Sequence, residues 1–346
     1  MMLGFSALSF LLLAAQGSST GGSRVTGWVT DAISGTPISG ARVTLMMVVD
    51  VPGGTFGRRP RQSITDANGA FAFDGIEPAQ YILNVEKTGF ASYPEVFGDG
   101  PPERLTVGAN HEDPQLLIAL KQGAVPAGRV LNSTAEPEPN LQVSALKRTD
   151  KAGPLGFAQV GNAQTNDLGE FRIAGLPSGE YVILAAAQRH GPFDAIHTGT
   201  TTLAPTFFPG TLDQSAARIV TLAPGQAATG IEFTIATVAA FRISGVVIDQ
   251  AGRPSPRAMV TLIPDIRASF MPMMTIAADD GTFEIGEVVP GTYRINANKN
   301  QGGDAGGIGA VSFGFVEASD GAPSVPGTIT VGSADMTGLT VVASRR

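Results

Sequence analysis

Apolar residues fall on alternate positions along most of this chain, and the alternation restarts from the same kind of turn three times. Phe71 and Phe73 alternate after Asp66-Ala67-Asn68-Gly69. Phe171 and Ile173 follow Asn166-Asp167-Leu168-Gly169, and Phe283 and Ile285 follow Ala278-Asp279-Asp280-Gly281. Twelve positions separate Gly69 from Tyr81, Gly169 from Tyr181 and Gly281 from Tyr293. A period of two after such a turn predicts a hairpin entering a half-buried strand. A second turn, carrying Pro78, Pro177 or Pro290, predicts another strand, with Tyr81/Leu83/Val85, Tyr181/Ile183/Ala185 and Tyr293/Ile295/Ala297 on its apolar face. A tyrosine that recurs in phase with a structural turn is expected to bury its ring and send its hydroxyl to a nearby backbone partner.

Two further pieces recur. A strand, a Gly/Pro-rich turn and a strand run from Val25 to Leu45, return from Ile243 to Leu262, and appear in degraded form from Val125 to Ala145. A strand, a glycine-centred turn and a strand close each copy, at Leu105–Leu120, Arg218–Ile235 and Thr328–Val342. The expected fold is therefore all-β: three tandem antiparallel β-sandwich modules of about six or seven strands each. Their bounds are 24–120, 121–238 (the divergent copy) and 239–346, joined by short links such as Ala236–Ala240. Non-strand insertions are expected at Met46–Gln62, Ala91–Glu103, His190–Gln214 and Gln301–Gly309, where recognition would sit.

Composition sharpens the picture. With 44 Gly and 24 Pro the chain suits many short strands and turns, and 23 Lys+Arg against 30 Asp+Glu gives a net charge of −7, the wrong sign for nucleic acid. There is no cysteine, which removes disulfides, thiolate catalysis and thiolate zinc sites together. The apolar run Leu8–Ala15, followed by small residues, predicts a secretory leader over residues 1–17, although no Lys or Arg precedes it. No later stretch is long enough for a membrane helix. Export to the periplasm, the outer membrane or the extracellular space is expected.

No catalytic residue, metal ligand or cofactor is expected from the sequence. His190 and His197 with Asp194 form the only histidine cluster, and they read as solvated loop residues. The acids before Gly69, Gly169 and Gly281 resemble a fragment of a calcium loop, but strand residues occupy the positions of the remaining ligands. No G-x-S-x-G or G-x-x-x-x-G-K-[ST] motif occurs, and the glycine-rich run Gly302–Gly309 does not open a helix. Arg58-Arg59-Pro60-Arg61 is a small basic tip on an acidic chain. Sugar stacking would need exposed aromatic rings, for which Trp28, Tyr93, Phe56 and the Phe207-Phe208-Pro209 loop are the candidates; Phe207, Phe208, Tyr93 and Trp28 form the speculative ligand-binding set.

The pattern from Val25 to Leu45, V-x-G-x-V-x-D followed by G-x-P-I-x-G-A-x-V-x-L, together with T-D-x-x-G-x-F-x-F-x-G-I-x-P-x-x-Y-x-L-x-V, resembles the carboxypeptidase regulatory-like domain. That family is similar in fold to transthyretin (prealbumin) and is grouped with starch-binding-like sandwiches. The resemblance implies a non-catalytic sandwich, of the kind found in multidomain exported bacterial proteins and beside the catalytic domain of some metallocarboxypeptidases. The zinc site of those enzymes needs a His-x-x-Glu pair, and none of His111, His190 or His197 has glutamate three positions on. The expected function is a non-enzymatic cell-envelope structural or interaction module whose partner is an envelope protein or polysaccharide. Carbohydrate binding through loop aromatics is the alternative.

Overall fold

The computed structural model describes residues 23–51, 54–95, 104–108, 114–148, 157–187, 200–264, 272–299 and 327–344. The leader, all three histidines, and the Gln301–Gly309 insertion lie outside them, as do the side chains of Phe56, Arg58 and Arg59. Among the described residues the regular structure is strand, apart from one turn of 3-10 helix at Gln214–Ala216.

The first copy contains β1 (Ser23–Asp31), β2 (Arg42–Val51), β3 (Gly54–Ile64), β4 (Ala70–Ile76), β5 (Ala79–Glu86), β6 (Arg104–Val107) and β7 (Gln115–Leu120). They form two sheets, ordered β4-β1-β7 and β3-β2-β5-β6. The Asp66–Gly69 turn is thus not the hairpin its sequence suggested. It carries the chain from β3 in one sheet to β4 in the other, and the Pro78 turn carries it back. The reason is a bond distant in sequence: Gly69 adopts φ +72° and its carbonyl accepts from Val29 N–H at 2.8 Å, which ties the turn to β1 rather than to β3. The Met46–Gln62 insertion is also corrected. It belongs to a long β2–β3 hairpin, paired from Arg42↔Ile64 to Val51↔Gly54 with one register shift between Leu45 and Met47, and its Val-rich first half suits a strand.

The second copy has β8 (Val125–Leu131), β9 (Leu141–Arg148), β10 (Phe157–Gln164), β11 (Glu170–Arg172), β12 (Gly179–Ala187), β13 (Thr201–Ala204), β14 (Thr206–Phe207), β15 (Val220–Leu222), β16 (Ala227–Thr234) and β17 (Ala236–Ala239). β11-β8-β16 form one sheet, and β10-β9-β12-β14 with β15 form the other. The expected link at Ala236–Ala240 is itself a strand, because β17 pairs with β13 over Thr201–Ala204. The third copy repeats the plan with β18 (Phe241–Ile248), β19 (Ala258–Pro264), β20 (Met273–Ile276), β21 (Thr282–Val288), β22 (Gly291–Lys299), β23 (Gly327–Val331) and β24 (Met336–Ser344). Its two sheets are joined where β22 meets β24 at Ala297↔Ala343 and Asn298↔Ser344.

The sheets are antiparallel except at one place in each of the first two copies and at two in the third, where the short β22–β24 contact is also parallel. β1 pairs with β7, β8 with β16 and β18 with β24 in parallel. These parallel pairs are served by long crossings between sheets, which is what a parallel neighbour requires.

Alternation places the cores. Large buried clusters gather residues from Val25 to Leu120, from Ala124 to Ile235 and from Ile243 to Ala343. Tyr81, Tyr181 and Tyr293 are each buried in one of them. Each hydroxyl donates to the carbonyl four residues earlier: Glu77 at 2.9 Å, Pro177, and Val289 at 2.7 Å. Every ring thereby fastens the corner that leads into its own strand, as the sequence spacing implied.

The second copy adds a smaller cluster, in which Leu146, Val182, Leu184 and Phe207 are buried on the far face of the β9–β12 sheet. Phe207 enters it from β14, which pairs with β12 at Leu184, and Phe157 and Ala217 pack against it, while Phe208 joins the main core of this copy. This corrects the expectation that Phe207 and Phe208 stand on an open loop.

Candidate functional site

One rung across the outer face of each parallel-paired sheet differs sharply between copies. In the first copy Trp28 lies between Ala70 on β4 and Leu117 on β7. In the second copy the same rung reads Glu170, Arg129, Glu232, and in the third Thr282, Val246, Thr340. One backbone therefore presents an apolar, an ionic and a hydroxyl-flanked version of the same face.

The ionic version borders a shallow groove of about 650 Å³, with small residues Ala127, Gly128, Ala163 and Gly230 along its floor and Arg129, Arg172, Glu170, Glu232 and Asn166 around it. Its charges are partly spent on each other: Glu170 accepts from Arg129 at 3.5 Å and from the Asn166 amide at 3.1 Å. The apolar version carries Trp28 at 43% exposure and Leu117 at 74%. Arg24 and Asp74 pair at 3.1 Å on the same face.

The ligand-binding candidates do not converge. Phe207 is fully buried and Phe208 nearly so, the latter edge-to-face with Phe233 at 5.9 Å and beneath the Arg218 guanidinium at 5.7 Å, so neither ring offers a face to a sugar. Tyr93 is half-buried against the first core, and its backbone exchanges hydrogen bonds with Val85. Trp28 alone of the four presents an open ring. The exposed residue the sequence reading missed is Leu117, whose partner across the ladder is Trp28.

The acids at the recurring turns serve the backbone. Asp66 accepts from Asn68 N–H and Ala70 N–H at 2.8 Å, and Asn166 accepts from Leu168 and Glu170 N–H in the second copy. In the third copy the leading residue is Ala278, and Asp280 takes over, accepting from the Thr282 hydroxyl and then its N–H, which hold its carboxyl below the usual range. Among the described residues no group of three or more His, Cys, Asp or Glu could hold a metal ion.

At the first Gly/Pro turn, Asp31 is buried and accepts from Ser34 N–H at 2.9 Å, from the Gln122 amide at 3.1 Å and from Ile33 N–H at 2.8 Å. The Ser34 N–H, then Gln122, then Ile33 hold its pKa at about 2, against an ordinary 3.8. A carboxyl whose folded pKa is depressed stabilises the fold above its unfolded pKa and loses that contribution as pH falls through the folded one. The midpoint of the first copy's own melting transition should therefore fall between roughly pH 4 and pH 2, and Asp31→Asn should flatten that fall. A melt series in which D31N tracks the parent through the window would refute the assignment. The second copy already carries Asn132 at this place, its amide oxygen accepting from Thr134 and Glu136 N–H.

The first two copies meet through Glu95, whose carboxylate lies 2.9 Å from Lys121 and 3.8 Å from Lys147. A β-bridge between Phe90 and Gln122 lies beside it.

Residues 24–111 match the family model described as the carboxypeptidase regulatory-like domain. No curated protein matches the chain. Similar solved structures include the Bacillus anthracis TIE protein, at 9% identity and a TM-score of 0.24, covering 92% of this chain and 50% of that one. The streptococcal ancillary pilin is 14% identical with a TM-score of 0.27, covering 92% of this chain and 98% of that one. GBS52, the minor pilin of Streptococcus agalactiae, is 12% identical with a TM-score of 0.30, covering 62% and 96%. The chain spans about half the length of the TIE protein. Likenesses of this strength carry no inference about what the chain does.

Proposed function

We propose that this chain, whose residues 24–111 match the carboxypeptidase regulatory-like domain model, is a non-enzymatic exported protein of the cell envelope. In this reading a leader over residues 1–17 precedes three β-sandwich modules, 24–120, 121–238 and 239–346, and the array acts as a structural or interaction module. It would lie in the periplasm, at the outer membrane or outside the cell, with an envelope protein or polysaccharide as partner. No helix among the described residues is long and apolar enough to cross a membrane.

The observation that supports it most is where the polar groups are spent. Asp31, Asp213, Asp249 and Asp280, the carboxyls held below their ordinary range, each accept from backbone N–H groups of their own turns. The buried tyrosine hydroxyls close backbone corners. Groups shifted by a scaffold in this way differ from a cluster poised around a substrate.

Homogeneous protein should release no product from peptide, ester or glycan substrates, and fractionated cells should yield it with envelope material. Turnover of any such substrate, or recovery from the cytosol with residues 1–17 intact, would sink the proposal. A second reading, carbohydrate binding, is favoured by Trp28 alone, whose open ring shares a face with the Arg24–Asp74 pair. A glycan array whose signals are unchanged in Trp28→Ala removes it.

A further inference from the structure

The parallel pairing of β7 with β1 divides the β7 backbone into two sets. Thr26 N–H donates to Pro114 and Ala32 N–H to Leu120, at 3.1 and 2.8 Å, so the even-numbered residues of β7 direct their N–H and C=O groups at β1. Gln115, Leu117 and Ala119 direct theirs outward, and among the described residues no strand pairs β7 on that side. The open stretch ends at Lys121, whose carbonyl accepts from Ala91 N–H at 2.9 Å.

An open edge is commonly guarded by charge, proline or a bulge. β7, reading Gln-Leu-Leu-Ile-Ala-Leu, has none of these. The corresponding strands differ. In β16 the register shifts between Ala228 and Ile231, and Glu232 stands where Leu117 stands in β7. In β24 the C-terminal end is already paired with β22. The unguarded edge thus coincides with the copy whose adjoining face exposes Trp28 and Leu117.

We propose that β7 pairs with β7 of a second copy of this chain, antiparallel about a two-fold axis through Leu117. The register follows from the outward set. Leu117 opposes Leu117 of the second copy, and Gln115 opposes its Ala119, each pair exchanging two backbone hydrogen bonds. Gln115, Leu117 and Ala119 lie on the outer face, so the two leucines meet there with a tryptophan on either flank, and no charged residue of β7 faces another. A two-fold pairing needs one self-complementary patch, which this edge supplies. The same operation on β16 would set Glu232 against Glu232. The pairing goes beyond the envelope reading and does not depend on export.

The test is sedimentation velocity on the full chain from about 1 to about 500 μM, a range that resolves a short-ladder interface. The parent is expected to shift from monomer to dimer. Leu117→Lys, which opposes two like charges, should associate at least about tenfold more weakly with an unchanged melting temperature, since the side chain is 74% exposed. Mixing Leu117→Lys with Leu117→Glu should restore a one-to-one heterodimer, which a merely unfolding substitution could not do. A parent that stays monomeric throughout, a Leu117→Lys variant that dimerises like the parent, or a mixture that fails to pair overturns the proposal. Both variants keep Trp28, so loss of the dimer with sugar binding intact separates this proposal from the carbohydrate reading.

Discussion

Gly128→Ala is expected to cost the second copy at least about 3 kcal/mol, or to leave it unfolded. Gly128 lies in β8 directly opposite Ile231 of the parallel neighbour and Phe171 of the antiparallel one. A methyl group there would overlap the Ile231 carbonyl oxygen, a backbone atom that cannot swing aside. Gly27 and Gly245 occupy the same place, against the Leu116 and Leu339 carbonyls, so close approach at this point is a condition of the parallel pairing. The control is Gly230→Ala. Its φ of +77° makes it strained by about 1 kcal/mol, but nothing lies within 4 Å of the new methyl. Hydrogen exchange in peptides spanning 125–131 and 231–235 reads the difference within one copy, where a whole-chain melt would blend several transitions. Equal protection in the two variants would show that the β8–β16 spacing is slack.

The second large effect concerns a hydroxyl. Thr165 is buried, donates to the Glu138 carbonyl at 2.8 Å and accepts from Leu141 N–H at 2.9 Å. Thr65 does the same with Ile38 and Ala41, at 2.6 and 2.8 Å. Thr165→Ala strips a partner from two backbone groups at once and should cost about 2 kcal/mol. The third copy has Ala277 at this position, although it keeps the surrounding bonds from Arg257 N–H to the Ala277 carbonyl and from Ala277 N–H to Ala258. Ala277→Thr should therefore stabilise by about 1 kcal/mol. Calorimetry that finds both substitutions destabilising would show that the third copy has closed over the space.

Much of this was legible in the residues, because strand alternation and turn spacing are local. Tyr81, Tyr181 and Tyr293 were placed correctly, down to a backbone partner for each hydroxyl. Which strands pair was not legible: the Asp66–Gly69 turn has the residues of a hairpin, and only the bond from Val29 N–H to the Gly69 carbonyl, forty residues away in sequence, turns it into a crossing. The burial of Phe207 did leave a signal. Tyr181-Val182-Ile183-Leu184-Ala185 is apolar without interruption, as a strand covered on both faces should be, whereas its counterparts carry Asn84 and Asn296 at the position of Leu184. Leu117 left none, since a leucine in an apolar strand looks the same whether it faces the core or the solvent.

The parallel pairing of the first strand of each copy with β7, β16 or β24 also fixes how the copies are joined. Two adjacent strands that run the same way start at one end of the sandwich and finish at the other. The chain therefore comes in at one pole of each copy and departs from the opposite pole. Tension between those poles draws β1 and β7, β8 and β16, or β18 and β24 past each other lengthwise, so the bonds of each ladder share the load and must rupture together rather than peel apart singly.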